Sequence, residues 1–395
     1  MASSLESLPR LRLQKGRMKR AAHGHPWVFS NELVEVPPLE PGTIVQMDGP
    51  AGEPLGTGYY NPRTLISFRW LVRGAPLEEE WLEKRIEAAV AKRASIYPGE
   101  DCVRLVFGEA DDLPGLVVDK YGDCLAVQVN TAGMERLRQR AEAALTSLIK
   151  PRQLVRKDDG PQREMEGLRR GVEAAVASQE SSAQVSYLGL KINVDLSGGQ
   201  KTGLFLDQRE NVRALIGRMT RGTSILDVFC YRGAWGMAAL KAGASRAEFV
   251  DASLEACEAV EAALAGNGLP EFDIHQGDSF DILPRLHGAK KRFGAVVTDP
   301  PAFAKSKKHL PEALKAYSRL NEMAMRLVEP GGLLAACSCS HHVGIEEFLQ
   351  ALRESAAKAK RKATLIELRG QAPDHPVLLN FPEGAYLKCV LLAIE

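Results

Sequence analysis

The sequence predicts an α/β protein: a Rossmann-like, doubly wound sheet in the C-terminal half, preceded by a small β-barrel or sandwich and a small α+β unit. Three observations carry this. From about residue 189 the runs TSILDVF, RAEFVD, EFDIHQ, GAVVTD, GLLAACS and ATLIEL alternate with helical stretches. Such alternation is the pattern of a parallel sheet covered on both faces by helices. The last run, GAYLKCVLLAIE, follows after only a loop, too short for a parallel crossover, so it is expected antiparallel. Residues 1–72, by contrast, are dense in Gly, Pro and short β-prone runs.

The elements follow in order. HPWVFSNELVEV, GTIVQMD, LGTGYYN and TLISFRWLV, separated by PG, GP and NP turns, read as the strands of the first domain, 1–72. LEEEWLEKRIEAAVAKRASIY has apolar residues at helical spacing and opens a central α+β domain, 73–188. Within it CVRLVFGEADDLPGLVVDKYGDCLAVQVN gives three strand-like runs, and a helix is expected over about 132–149. The polar stretch VASQESSAQ marks the exit into the third domain, 189–395.

Composition excludes several classes. At 395 residues the chain exceeds one ordinary core. With 45% apolar and 26% charged residues it is globular. A net charge of +1 gives no bulk field toward nucleic acid or membrane, so such a partner needs a local patch. Seven irregularly spaced cysteines make no disulfide framework, and a reducing cytoplasm is the expected location. MASSLESLPRLRLQKGRMKR has charge without an apolar core, so no secretory signal is expected. No run approaches the ~20 apolar residues of a membrane span.

In an open α/β sheet, ligands bind outside the carboxyl ends of the strands. The first strand leads into LDVFCYRGAWGMAAL, residues 226–240, which lacks the G-x-G-x-x-G of dinucleotide enzymes and holds only Gly233 and Gly236. Asp227 can pair with an ammonium or orient the loop, and Asp251, with Ser253 shortly after it, can pair with the hydroxyls of a ribose. Asp278 can accept from an adenine amino group. That set suits a cofactor with a cationic amino-acid end and no phosphates, S-adenosylmethionine, whereas a pyrophosphate would want a glycine-rich helix N-terminus. For Asp251 and Asp278 the competing reading is helix N-caps. A doubly wound sheet closed by one antiparallel strand is also the architecture of class I methyltransferases, though other folds share it.

The fourth strand ends TDPPAF, residues 298–303. Pro300 and Pro301 remove two donors and fix the backbone, so that Asp299 and backbone carbonyls stand rigidly, with Phe303 offering a face to a planar base. The fifth ends GGLLAACSCSHH, residues 331–342. Cys337, Cys339, His341 and His342 are too bunched for a structural metal site, and C-x-C lacks redox spacing. Cys337 suits a buried small hydrophobe. Cys339, at the strand's carboxyl end, is a candidate nucleophile that needs help from its surroundings to ionise.

HPWVF (25–29), GEADDLPGLVVDKYGD (108–123), GGQKTGLFLDQREN (198–211), DPPAF, SCS (338–340) and DHPVLLNFPEGAYLK (374–388) resemble the bacterial large-subunit ribosomal RNA methyltransferase I family. The resemblance runs over nearly the whole chain in order. It implies an N-terminal PUA domain, a central α+β domain and a Rossmann-like class I methyltransferase domain that forms 5-methylcytosine in 23S ribosomal RNA. It implies Cys339 as nucleophile and Asp299 as the acid holding the cytosine edge. Thr202, Phe205, Gln208, Asp227, Gly233, Asp251 and Asp278 fall on the cofactor-binding positions, with Ser253 and Asp299 beside them. Pro300, Pro301, Phe303 and Lys305 fall on the substrate side. Many RNA cytosine-C5 enzymes carry a second cysteine after the motif's proline. Here Pro301 is followed by Ala302, which leaves the base that removes the C5 proton unassigned.

Two basic groups are expected to meet RNA phosphates: Arg10, Arg12, Lys15, Arg17, Lys19 and Arg20, then Lys290, Lys291, Arg292, Lys305, Lys307 and Lys308. Enzymes of this kind can also form a homodimer. The competing functions are a ribosomal RNA guanine N-methyltransferase, for which D-P-P-aromatic also suits, and a non-catalytic RNA-binding or ribosome-assembly protein. A nicotinamide dehydrogenase is a third, weakened by the missing phosphate-binding glycines.

Overall fold

The computed structural model describes residues 8–34, 36–174, 182–196, 203–269, 271–304 and 306–395. It divides into two compact units. One comprises Met1–Val185, Asn193–Leu204 and Pro373–Gly384; the other Ser186–Ile192, Phe205–Ala372 and Ala385–Glu395.

The first unit begins with β1 (Arg10–Arg12), α1 (Met18–Ala22), β2 (Trp27–Val28), β3 (Thr43–Asp48), β4 (Pro54–Tyr60) and β5 (Phe68–Arg73). These strands form one sheet in the order β1-β3-β4-β5-β2, closed over Leu11, Val28, Val45, Met47, Phe68 and Trp70. Two expectations need correcting here. HPWVFSNELVEV is not one long strand: after β2 the chain turns at Ser30–Glu32, where the Glu32 carboxylate accepts from the Phe29 N–H at 2.8 Å. The basic tract is not all free for phosphate either, because Arg10 lies in β1 and makes a two-pronged ion pair with Asp48 at 2.7 and 2.8 Å.

The same unit continues with α2 (Trp81–Ile96), β6 (Cys102–Phe107), β7 (Leu116–Tyr121), β8 (Cys124–Val129), α3 (Ala132–Ile149), β9 (Gln153–Asp158), α4 (Gln162–Met165) and β10 (Gly171–Ala174). A second sheet runs β10-β9-β8-β7-β6. Helix α3, capped by Thr131, whose hydroxyl accepts from the Met134 N–H, provides the crossover that makes β8 and β9 parallel. The motifs of the resemblance in this unit are structural. Asp111 pairs with buried Arg93 at 2.5 Å, whose guanidinium also reaches the Asp374 carbonyl. Glu109 accepts from the Trp27 indole at 2.8 Å, and Trp27 packs edge-on against Phe381. A hairpin of β11 (Ser182–Tyr187) and β12 (Leu190–Asp195) follows. Part of the stretch expected to mark the exit lies outside the described residues.

The second unit is built on α5 (Arg209–Ile216), β13 (Ser224–Val228), α6 (Ala234–Lys241), β14 (Arg246–Asp251), α7 (Leu254–Gly266), β15 (Phe272–Gln276), α8 (Ser279–Gly288), β16 (Phe293–Thr298), α9 (Leu310–Leu327), β17 (Val328–Ser338), α10 (Ile345–Ala359), β18 (Ala363–Arg369) and β19 (Lys388–Ile394). Its seven strands lie in the order β15-β14-β13-β16-β17-β19-β18. The first five are mutually parallel; β19 is antiparallel to both neighbours, as its short connection requires. Every residue of β16 is buried, as expected of a central parallel strand covered on both faces. The core joins Leu226, Val228, Val296, Leu334 and Ala336 to Leu320, Phe348 and Leu352 of the covering helices.

Candidate active site

The parallel register brings the carboxyl ends of β13, β14, β16 and β17 to one edge: Val228 stands beside Val250 and Thr298, and Thr298 beside Ala336. Asp227, Asp251, Asp299 and Cys339 all project from this edge.

The loop after β13 keeps the backbone of a glycine-rich turn with glycine at only one of its three left-handed positions. Phe229, Tyr231 and Gly233 have φ of 63°, 48° and 69°. Two non-glycine residues in the left-handed region cost of order 1 kcal/mol or more each and must be held by their surroundings. The bonds that hold them are present. The N–H groups of Phe229 and Cys230 donate to the Val250 carbonyl at 2.8 and 3.1 Å, and the Tyr231 N–H donates to Asp251 Oδ2 at 2.9 Å. Sequence reasoning missed Phe229 and Tyr231. The signal available was their alternate spacing up to Gly233.

Asp227 is fully buried. Its Oδ2 accepts from the Gly236 N–H at 3.0 Å, while Oδ1 has no hydrogen-bond partner among the described residues. Burial, reinforced by the negative charges of Asp299 and Asp251, pushes its carboxyl up to about 8. Asp251 uses both oxygens on backbone donors, Tyr231 and Ser253 at 2.9 Å each. It orders the loop and is not a helix cap. The capping of α7 belongs to Ser253, which accepts from the Ala256 N–H at 3.2 Å, and that of α8 to Asp278, which accepts from the Phe280 N–H at 2.8 Å. For Asp278 the N-cap geometry is therefore present, with its second oxygen available to a ligand.

Gln208 donates to Asp299 Oδ2 at 3.0 Å and accepts from Asn211 at 2.6 Å, and Asn211 accepts from Arg369 at 2.9 Å. This relay sets the angle of the Asp299 carboxylate. Phe205 lies edge-on to Tyr231, with ring centroids 5.1 Å apart. Pro300 is buried and Pro301 exposed. Phe303 is half-buried, packed against Tyr317 at 4.7 Å and more loosely against Phe229 and Phe280. Thr202 and Lys305 lie outside the described residues.

The S-C-S run is explained by Tyr317 of α9. Its hydroxyl lies 2.9 Å from both Ser338 Oγ and Ser340 Oγ, and Ser340 Oγ accepts from the Ala304 N–H at 3.3 Å. The two serines thus point into the core, and Cys339 between them is partly exposed with its thiol 3.9 Å from the Pro300 carbonyl. Cys337 is fully buried beside Cys389 of β19, and burial pushes its thiol well up. It is core, as expected.

Of the second basic cluster, Lys290, Lys291 and Arg292 precede β16 while Lys307 and Lys308 follow it. Six residues at about 3.3 Å each put the two ends of β16 about 20 Å apart, and the two groups attach to the strand from opposite ends. Lys291 is moreover ion-paired with Glu248 and Asp273.

A family model for a PUA-like domain matches residues 11–73, and one for an S-adenosylmethionine-dependent methyltransferase matches residues 173–392. Proteins named ribosomal RNA large subunit methyltransferase I are 35% identical in Shewanella denitrificans, covering 96% of this chain and 98% of theirs, and 35% identical in Photobacterium profundum, covering 95% and 97%. The chain belongs to the ribosomal RNA large subunit methyltransferase I family. A Streptococcus mutans structure described as a SAM-dependent methyltransferase superposes with a TM-score of 0.82 at 20% identity, covering 98% of this chain and all of the other. A methyltransferase structure complexed with S-adenosylhomocysteine gives 0.84 at 22%, with the same coverage. At these identities the likeness shows the fold, a class I methyltransferase domain with a PUA-like domain before it.

The cofactor of this methyltransferase is S-adenosylmethionine. The residues present fit it: a buried carboxylate with one unpartnered oxygen at the end of β13 asks for a cation, and the methionine ammonium is one. No helix among the described residues is long and apolar enough to cross a membrane.

Proposed function

We propose that this chain forms 5-methylcytosine in 23S ribosomal RNA, with Cys339 as a covalent nucleophile. The observation that carries the proposal is the partly exposed thiol of Cys339, 3.9 Å from the Pro300 carbonyl and one strand over from Asp299. The substrate class rests on the relatives named ribosomal RNA large subunit methyltransferase I.

S-adenosylmethionine supplies an electrophilic methyl group. Asp227 would hold its ammonium, Asp251 its ribose and Asp278 its adenine, with Phe205, Gln208, Gly233, Ser253 and Thr202 around them. The chain's own residues do the rest. Asp299, aimed by Gln208, takes the N3 and N4 edge of an extruded cytosine, and Phe303 with Pro300, Pro301 and Lys305 receives the base. The Cys339 thiolate adds to C6, and the C5–C6 π pair moves to C5, which becomes nucleophilic. Once C5 carries its methyl group, loss of the C5 proton returns the electron pair to the C5–C6 bond and expels the thiolate. The divisions 1–72, 73–188 and 189–395 then serve as RNA-binding barrel, central domain and catalytic domain.

The D-P-P-A-F run, an acid and two prolines followed shortly by an aromatic, favours a second reading, N-methylation of a guanine, which needs no thiol. Nucleoside mass spectrometry of 23S RNA methylated by the purified enzyme separates the two. The expected result is 5-methylcytosine with the wild type and none with Cys339→Ala. Retained turnover in Cys339→Ala, or a methylguanosine product, overturns the proposal.

A further inference from the structure

Lys388 opens β19 directly opposite Ser338 of β17. Its side chain turns away from solvent. It is 8% exposed, and its ammonium donates to the Ser340 carbonyl at 2.7 Å and to the Tyr386 carbonyl at 2.9 Å. Since β17 ends at Ser338, the ammonium is fastened to the segment beyond it at the residue that directly follows Cys339. A lysine ammonium has three N–H groups, and the third has no partner among the described residues. No described carboxylate lies within ion-pair distance either, which leaves a buried cation without a counter-ion.

Burying an unpaired charge is costly, and fastening two carbonyls does not require a full positive charge. We propose that the Lys388 ammonium is the charge that stabilises the Cys339 thiolate, both when it adds to C6 and when it is expelled. The inference rests on the reading of Cys339 as nucleophile. The proton that Cys339 loses goes to solvent, to which the residue is partly open, and Lys388 keeps its own three.

Facing this ammonium are Cys339 from the end of β17, Glu347 from the first turn of α10, and the Tyr317 hydroxyl from α9 by way of Ser340. Burial lowers the Lys388 ammonium to about 8, while negative charge on Cys339 and on Glu347 opposes that fall. Coulomb coupling is mutual. Whatever a Cys339 thiolate does to retain the lysine proton, the ammonium does to favour the thiolate. The ammonium and a Cys339 thiolate therefore stabilise one another.

The test is the rate at which iodoacetamide alkylates Cys339 in the full-length protein between pH 5.5 and 10, read by peptide mass mapping, with the six buried cysteines as internal reference. Lys388→Gln keeps a hydrogen-bond donor and removes the charge; Lys388→Arg keeps both. Lys388→Gln is expected to move the alkylation midpoint up by about one pH unit and to slow alkylation at pH 7 roughly tenfold, while Lys388→Arg stays close to wild type. The pH optimum for methyl transfer should shift with it, kcat falling and KM holding. An unshifted midpoint in Lys388→Gln overturns the inference. Should Lys388→Gln not fold, the wild type decides alone: a Cys339 midpoint below the ~8.5 of a free thiol supports the pairing, and one at or above it overturns it. Full turnover in Cys339→Ala would sink the nucleophile reading instead, and the alkylation profile judges the ion pair in either case.

Discussion

The Tyr317 hydroxyl stands 2.9 Å from Ser340 Oγ, and by the same oxygen 2.9 Å from Ser338 Oγ. One phenol thus fixes the residues on either side of Cys339. Behind it the Asn321 amide donates to the Tyr317 carbonyl and its oxygen accepts from Thr298 at the end of β16. The strand that carries Asp299 and the strand that carries Cys339 are therefore tied through one buried helix face. Tyr317→Phe removes the clamp while keeping the ring. It should cost about 1–2 kcal/mol in urea denaturation. It should lower kcat on the order of tenfold by loosening the thiol's position, with cofactor affinity unchanged in calorimetric titration.

Asp227 predicts a pH dependence of stability. Its folded-state pKa, raised to about 8, exceeds the ordinary ~3.9 of an unfolded aspartate. The folded state therefore binds the extra proton, and stability falls as pH rises between the two values. From pH 6 to pH 8 the cofactor-free protein should lose about 2 kcal/mol from this group. Lys388 contributes little in that window. Its pKa is lowered, so its effect lies between about 8 and the unfolded value of ~10.4 and has the opposite sign. Thermal melts across pH should show the decline, saturating S-adenosylmethionine should flatten it, and Asp227→Asn should abolish both the decline and cofactor binding.

The acids of the site are readable in the sequence because an open α/β sheet brings the carboxyl ends of its strands to one edge. Asp251 and Asp299 each close a β-prone run and Asp227 lies near the end of one, and the order of those runs places them together. The left-handed loop is not readable in the same way. Phe229 and Tyr231 occupy conformations for which sequence rules look for glycine, and the hydrogen bonds that hold them come from β14, twenty residues on. Tyr317 reads as one more aromatic at core spacing on an amphipathic helix. Lys388 is hidden for a different reason. A lysine beside a strand reads as solvated, and only the antiparallel register of β19 turns it inward across from the S-C-S run. Charge clustering misleads too, since Lys290–Arg292 and Lys307–Lys308 are close in sequence but separated by the length of β16.

The relay from Arg369 through Asn211 and Gln208 to Asp299 has a direction: each amide accepts on one side and donates on the other. Asn211→Asp keeps the acceptor for Arg369 and loses the donor to Gln208. The Gln208 amide then gains by turning over, which presents its oxygen to the Asp299 carboxylate. Turnover should fall on the order of tenfold. Asn211→Ala should be milder, because Gln208 is then free to keep its donor toward Asp299. Steady-state kinetics of the two variants, with circular dichroism melts to confirm folding, checks the order.

Gly236 lies in the first turn of α6 and gives its N–H to Asp227. A Cβ there would lie 2.3 Å from Cε1 and 2.7 Å from Cζ of Phe249 on β14, well inside contact distance. Phe249 is fully buried and has no room to yield, so the helix must move. Gly236→Ala is expected to destabilise the protein by about 1–3 kcal/mol, seen as a lower urea midpoint with an unchanged slope. Because the displaced turn carries the donor that Asp227 accepts, cofactor affinity should fall as well. A second substitution, Phe249→Leu, removes the atoms that clash. In the double variant the added Cβ should then cost less than it does alone, a coupling that a double-mutant cycle measures directly. If the two effects simply add, the close approach of α6 to β14 is not what demands a glycine at position 236.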